Sequence, residues 1–173
     1  FIDIGATNPK VIIKNSTVKG APFTLDSGEV IYMWCLHTQD GGILEIESGN
    51  FIGKVQIDSA TDVTITGGTF EGNSAAYAGA FYLRANTVGI SGATIQGNSS
   101  TGGGSAIYVF STVKLTIGDG TVITKNTCST TMRSRNCTIM SVAADIDAPT
   151  FSKYPSTPAT TRRAETVDLT TEH

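Results

Sequence analysis

Ionisable side chains are scarce in this sequence. Asp, Glu, Lys and Arg make up only 16% of its 173 residues, and the two histidines are His37 and His173. The formal net charge is −3, and no stripe of Lys and Arg supplies the footprint that nucleic acid or an acidic membrane surface requires. With no serine nucleophile motif, two histidines support no hydrolytic triad, and the cysteine and histidine spacing matches no zinc site. Long apolar runs are missing too: the longest, such as Glu29 to Leu36, are strand-sized and fall well short of the ~20 residues that cross a bilayer. These deficits leave no cofactor to expect, and they exclude nucleic acid and membrane insertion from the expected partners. The chain opens at Phe1 with neither Met nor a basic-then-apolar leader, which reads as a processed chain or a segment of a longer one.

Cysteine is limited to Cys35, Cys128 and Cys137. The last two flank a polar stretch containing Arg133 and Arg135, where a Cys128–Cys137 bridge would staple a protruding loop in an oxidising compartment. The alternative is three reduced thiols in a cytosolic protein. Cys35 is left over, as a buried free thiol or a link to another chain.

What the sequence does have is self-similarity. Val63-Thr64-Ile65, Val88-Gly89-Ile90 and Val113-Lys114-Leu115 recur at intervals of 25 residues. Each is followed by an apolar element ending in asparagine: Phe70 to Asn73, Ile95 to Asn98, and Ile123 to Asn126. A third element follows as Ala80-Phe81-Tyr82-Leu83 and Ala106-Ile107-Tyr108-Val109. Outward from these units, Ile2-Asp3-Ile4, Ile12 to Asn15 and Val30 to Met33 read as a first coil, and Leu44 to Ile57 as a shorter second one with Lys54 in place of the asparagine. Thr138-Ile139-Met140 closes a fifth coil, and Asp145 to Phe151 begins a sixth.

Apolar alternation at period 2 turns one face of each strand inward, and glycine clusters supply tight bends between strands. Units of ~25 residues are too short for helical crossovers between parallel strands. The expectation is an all-β, right-handed, single-stranded parallel β-helix with three strands per coil, whose roughly five and a half coils rise about 26 Å. It would occupy residues 1–154. Residues 155–173, rich in Pro and Thr, form a tail without a core pattern that packs on the helix or on a neighbouring subunit.

Two repeats carry a resemblance. Phe70-Glu71-Gly72-Asn73 with Ala78-Gly79-Ala80-Phe81, and Ile95-Gln96-Gly97-Asn98 with Gly104-Ser105-Ala106-Ile107, resemble the FxxN and GGAI-type repeats of the polymorphic outer-membrane protein family. The resemblance implies a parallel β-helical passenger exposed at a cell surface and used in adhesion.

Several residues are candidates for function. Asn15, Asn73, Asn98 and Asn126 form an inward ladder in which each side chain bonds the neighbouring coil. Asn15, Asn98 and Asn136 also begin Asn-x-Ser/Thr acceptor sites; Asn136, in the stapled loop, is the best placed for a glycan, whereas the ladder role competes at the other two. Tyr32, Gln56, Tyr82 and Tyr108 align outward on the third strand, either as a face that stacks on sugar rings or as a self-stacking ladder that pins register. Asp58 with Asp62, Asp40 with His37, and Asp145 with Asp147 make no outward carboxylate stack over neighbouring coils, and they read as solvated turn and strand-end residues rather than an acid/base pair. The expected function is therefore a non-enzymatic extracellular structural or adhesive glycoprotein, a subunit of a surface filament in which copies of the chain stack head to tail or exchange tails. The alternatives are a carbohydrate-binding module using the tyrosine face, and a polysaccharide lyase or hydrolase fragment.

Overall fold

The structure, a computed structural model, describes residues 1–5, 8–28, 30–39, 41–110, 114–128, 138–141 and 167–168. Every regular element among them is a strand. A nine-stranded parallel sheet contains β1 (Ile2–Ile4), β2 (Lys10–Ile13), β6 (Leu36–Thr38), β7 (Ile43–Ile46), β9 (Val55–Ile65), β12 (Phe81–Ile90), β15 (Ile107–Val109), β16 (Lys114–Ile117) and β19 (Ile139–Ser141). A six-stranded sheet contains β3 (Ser16–Lys19), β8 (Gly49–Ile52), β10 (Thr69–Glu71), β13 (Thr94–Gln96), β17 (Val122–Thr124) and β20 (Val167–Asp168). A three-stranded sheet joins β11 (Ser74–Ala75), β14 (Ser99–Ser100) and β18 (Thr127–Cys128), and a two-stranded one joins β4 (Pro22–Thr24) to β5 (Val30–Tyr32).

This arrangement corrects the expected architecture. The fold is all-β with parallel sheets, but its strands form several sheets around one curled half-barrel, not the single-stranded right-handed β-helix of about five and a half three-stranded coils. The reason lies in two segments without a breaker. Between the third element of one repeat and the first of the next, Val55 to Ile65 and Phe81 to Ile90 contain no proline, and glycine only at Gly89 near the end of the second. The backbone therefore runs on as strands of 11 and 10 residues, β9 and β12, which merge two expected ladders into one sheet. They pair throughout, with a single irregularity between Leu83 and Ala85. Two further pairings are antiparallel, β4 with β5 and β17 with β20, which a stack of parallel coils does not contain.

Within these sheets the repeats do set register. Val63 faces Val88, Phe70 faces Ile95, and Tyr82 faces Tyr108. One alignment shifts: Val88 pairs with Leu115 instead of Val113, a slip of two residues that keeps the same face inward. The opening repeat shifts further. Lys10–Ile13 pairs with β7 in the nine-stranded sheet, so Ser16–Lys19 is the strand that joins the six-stranded one. Leu36–Thr38, rather than Val30–Met33, takes the third position, between β1 and β9.

The core follows from this register. Phe51 and Phe70 stack with ring centroids 4.6 Å apart, and Phe81 leans on Phe70 at 4.5 Å. Leu36, Leu44, Ile46, Ile57, Ile65, Leu83, Ile90, Ile95 and Ile107 surround them, fully buried. The thiol of Cys35 is free and buried, and donates to the Gly53 carbonyl at 3.1 Å. Burial pushes its pKa up to about 12 against the lowering effect of backbone hydrogen bonds. At pH 8 the thiolate fraction is then on the order of one in ten thousand, against about a quarter for an ordinary cysteine. In the native protein Cys35 is expected to resist a disulfide reagent such as Ellman's for hours and to react within minutes in denaturant; equal rates would show that the site is open.

A buried asparagine column stitches the turns together. The Gly53 N–H donates to Asn73 Oδ1, and the Asn73 side-chain amide donates to Asn98 Oδ1 at 2.9 Å. Asn98 Nδ2 donates to Asn126 Oδ1 at 2.8 Å and to the Phe70 carbonyl at 3.0 Å, and Asn126 Nδ2 to the Ile95 carbonyl at 2.9 Å. Asn15 is not a rung. It precedes β3, where the rungs follow their strands, and lies exposed, its Oδ1 accepting from the Ser48 hydroxyl at 3.0 Å.

Candidate functional site

Alternation along the nine-stranded sheet sends Leu36, Val55, Phe81 and Ile107 into the core and the next residue of each strand outward. The outward column reads Asp3, His37, Gln56, Tyr82, Tyr108. One end is a hydrogen-bonded polar cluster and the other is aromatic.

At the polar end His37 Nε2 lies 2.8 Å from Asp58 Oδ2 and Nδ1 lies 3.4 Å from Asp3 Oδ1. The Gln39 amide donates to both Asp3 oxygens at 3.2 Å, and Gln56 Nε2 donates to Asp58 Oδ2 at 2.7 Å. Trp34 stacks on the imidazole at 5.1 Å, so His37 is buried although its strand position faces outward. Partial burial pushes the Asp58 carboxyl up. Hydrogen bonds from Gln56 and His37, with the charges of His37 and Arg84, outweigh that and hold it below the usual range. Asp58 is thus a fixed carboxylate acceptor at neutral pH.

Lys54 bridges the two ends. Burial lowers its ammonium pKa while the Asp58 charge pulls it back up, and its Nζ sits 5.6 Å from the centroid of the Tyr82 ring. That distance is within reach of a cation–π contact. Tyr82 and Tyr108 stack nearly parallel, 5.4 Å apart with 6° between planes. Tyr77 meets Tyr108 edge-on at 5.6 Å, and Phe110, with the Arg84 guanidinium 4.9 Å over its ring, lies 6.5 Å from Tyr82. Burial, then the neighbouring Tyr82 and Tyr77, raise the Tyr108 phenol, which keeps it a protonated donor. The face can therefore offer carboxylate and amide acceptors, cationic and phenolic donors, and half-exposed ring surface, each held by its neighbours.

Of the residues singled out from the sequence, Gln56, Tyr82 and Tyr108 do share a column. Tyr32 does not: it belongs to β5 and pairs with Pro22 of the antiparallel hairpin, and His37 holds the column position instead. Asp58 does not stand as an isolated turn residue beside Asp62; it joins Asp3 across β6 through His37. Asp3, Trp34, His37, Gln39 and Lys54 were missing from the expected face. The available signal was the apolar–polar alternation of Leu36-His37-Thr38 ahead of Val55-Gln56-Ile57, masked by the closer likeness of Val30-Ile31-Tyr32 to the tyrosine repeats. Both Asn98 Nδ2 protons are donated in a fully buried setting, so the folded chain presents no amide for a glycan there, whereas Asn15 is exposed. Cys137, Asn136, Asp40, Asp145, Asp147 and His173 lie outside the described residues, as does the tail apart from Val167–Asp168. Among the described residues no group of three His, Cys, Asp or Glu is placed to hold a metal ion. No protein-family model, curated protein or solved structure matches this chain.

Proposed function

We propose that the protein is an extracellular adhesive module that binds carbohydrate through the outward face of the nine-stranded sheet. One observation carries the reading: a cluster of hydrogen-bonded side chains and a set of stacked aromatic rings lie side by side on neighbouring strands, and packing fixes both. Sugars present the complementary surface, C–H patches beside a fan of hydroxyls, and fixed rings and polar groups bind them with little loss of side-chain freedom. The Tyr82–Tyr108 stack leaves no room for a sugar between the rings, so the contact surfaces are their outer edges and hydroxyls, with Phe110 and Trp34 to either side. A Cys128–Cys137 bridge and a glycan on Asn136 belong to the same extracellular reading.

A glycan array probed with the intact protein tests the reading. At least one glycan class is expected to bind, and Tyr82→Ala or Tyr108→Ala is expected to weaken it tenfold or more, about 1.4 kcal/mol, with the circular dichroism spectrum unchanged. Retention of full affinity by both variants, or silence across the array, would refute the proposal.

A further inference from the structure

A second surface lies outside the six-stranded sheet. The turns that follow β10, β13 and β17 pass over one another, since Glu71 pairs with Gln96 and Gln96 with Thr124. The next residues, Gly72, Gly97 and Lys125, share left-handed backbone, with φ of 67°, 64° and 56°. A Cβ on Gly72 would meet nothing within 4 Å, and one on Gly97 only the Gly72 nitrogen at 4.0 Å, so the two glycines leave a floor of bare backbone. Ile52, Glu71, Gln96 and Lys125 line an open groove over it of about 520 Å³.

Lys125 separates this groove from an ordinary row of turns. Glycine takes left-handed backbone freely, and lysine does so only with strain, of a kind that persists where the surroundings or the function demand it. The first two turns avoid that strain and the third accepts it, placing an exposed ammonium at one end of the floor.

The groove's chemistry selects its ligand. The floor amides are already committed, Gly72 N–H to the Gln96 carbonyl and Gly97 N–H to that of Thr124, so recognition falls to side chains. Gln96 Nε2 donates to Glu71 Oε2 at 2.8 Å, which holds both side chains in place and leaves their remaining oxygens as acceptors. Glu71 opposes an anion and Lys125 opposes a cation. An uncharged, hydroxyl-rich chain satisfies both, donating to Glu71 and Gln96, accepting from Lys125, and laying its C–H surface on the glycines and Ile52. We infer that this groove is a second carbohydrate site, for an extended neutral oligosaccharide, built independently of the aromatic face. Two sites on different sheets would let one chain hold a polysaccharide at two points.

Titration of ¹⁵N-labelled protein with cellotetraose, xylotetraose and chitotetraose tests the inference. For at least one probe, saturable shifts are expected at the amides of Ile52, Gly72, Gly97 and Lys125, and these shifts persist in Tyr82→Ala. Lys125→Gly is expected to weaken the groove's binding at least tenfold while raising Tm by about 2–4 °C as the strain is relieved. Gly97→Asn, which tolerates left-handed backbone but fills the floor, should weaken binding without unfolding the protein. Absence of shifts in the groove with all three probes, or wild-type affinity in both variants, overturns the inference. Shifts confined to Tyr82 and Tyr108 overturn it while leaving the aromatic-face proposal standing; shifts confined to the groove do the reverse.

Discussion

Replacing Asn98 with alanine is expected to destabilise the protein by about 3–5 kcal/mol, a large share of the roughly 5–15 kcal/mol that holds a domain folded. The side chain is fully buried at the centre of the ladder, and truncation removes four hydrogen bonds together. The Asn73 backbone and side-chain N–H groups lose their acceptor, and the Phe70 carbonyl and Asn126 Oδ1 lose a donor. These groups are buried, Phe70 and Asn98 completely, so each bears part of its desolvation penalty. Asn98→Asp keeps the shape and is expected to be at least as damaging, because it places a buried acceptor against the Phe70 carbonyl and Asn126 Oδ1. Urea unfolding measures both variants. A loss below about 1 kcal/mol for Asn98→Ala would mean that water replaces the rung and that the ladder holds little of the fold.

The second large effect is expected at Phe70. Its ring stacks on Phe51 and meets Phe81, linking β8 and β10 of one sheet to β12 of the other. Phe70→Ala removes contact on two sides at once, and a half-barrel tied by several parallel pairings cannot close round the hole; the cost is about 3–5 kcal/mol. Phe70→Leu refills most of the volume and should cost about 1–1.5 kcal/mol. An unchanged denaturant slope with a lower midpoint would assign the effect to packing, whereas a changed slope would show that the sheets come apart separately.

Strand register was the most legible feature of the sequence. Alternating β-branched and aromatic residues at near-constant spacing placed Val63 on Val88, Phe70 on Ile95 and Tyr82 on Tyr108, and the recurrent asparagine located the rungs Asn73, Asn98 and Asn126, with Asn15 wrongly added to them. The join between repeats was not legible. Whether a strand bends or runs on depends on sheet curvature around the core, and Asp58 to Asp62 looks like a turn by composition although it continues β9. The opening repeat failed for a related reason: Val30 to Tyr32 and Leu36 to Thr38 both fit a strand pattern, and only pairing with β1 and β9 selects the second. That choice decides whether Tyr32 or His37 joins the outward column. The polar half of the face was therefore invisible to pattern, because Asp3, His37 and Asp58 come from three strands. Adhesion at a cell surface is what the resemblance of two repeats implies, and the carbohydrate contact proposed for the aromatic and polar face would give it a physical basis.

Trp34 provides a direct reporter for the central claim, since it is the sole tryptophan and stacks on His37 within the proposed binding face. Titrating a glycan selected on the array should change its fluorescence saturably in the wild-type protein, and the change should require at least tenfold more ligand in Tyr82→Ala. Unaltered Trp34 emission throughout, with the same glycan binding equally well to wild type and Tyr82→Ala, would contradict carbohydrate recognition by this face.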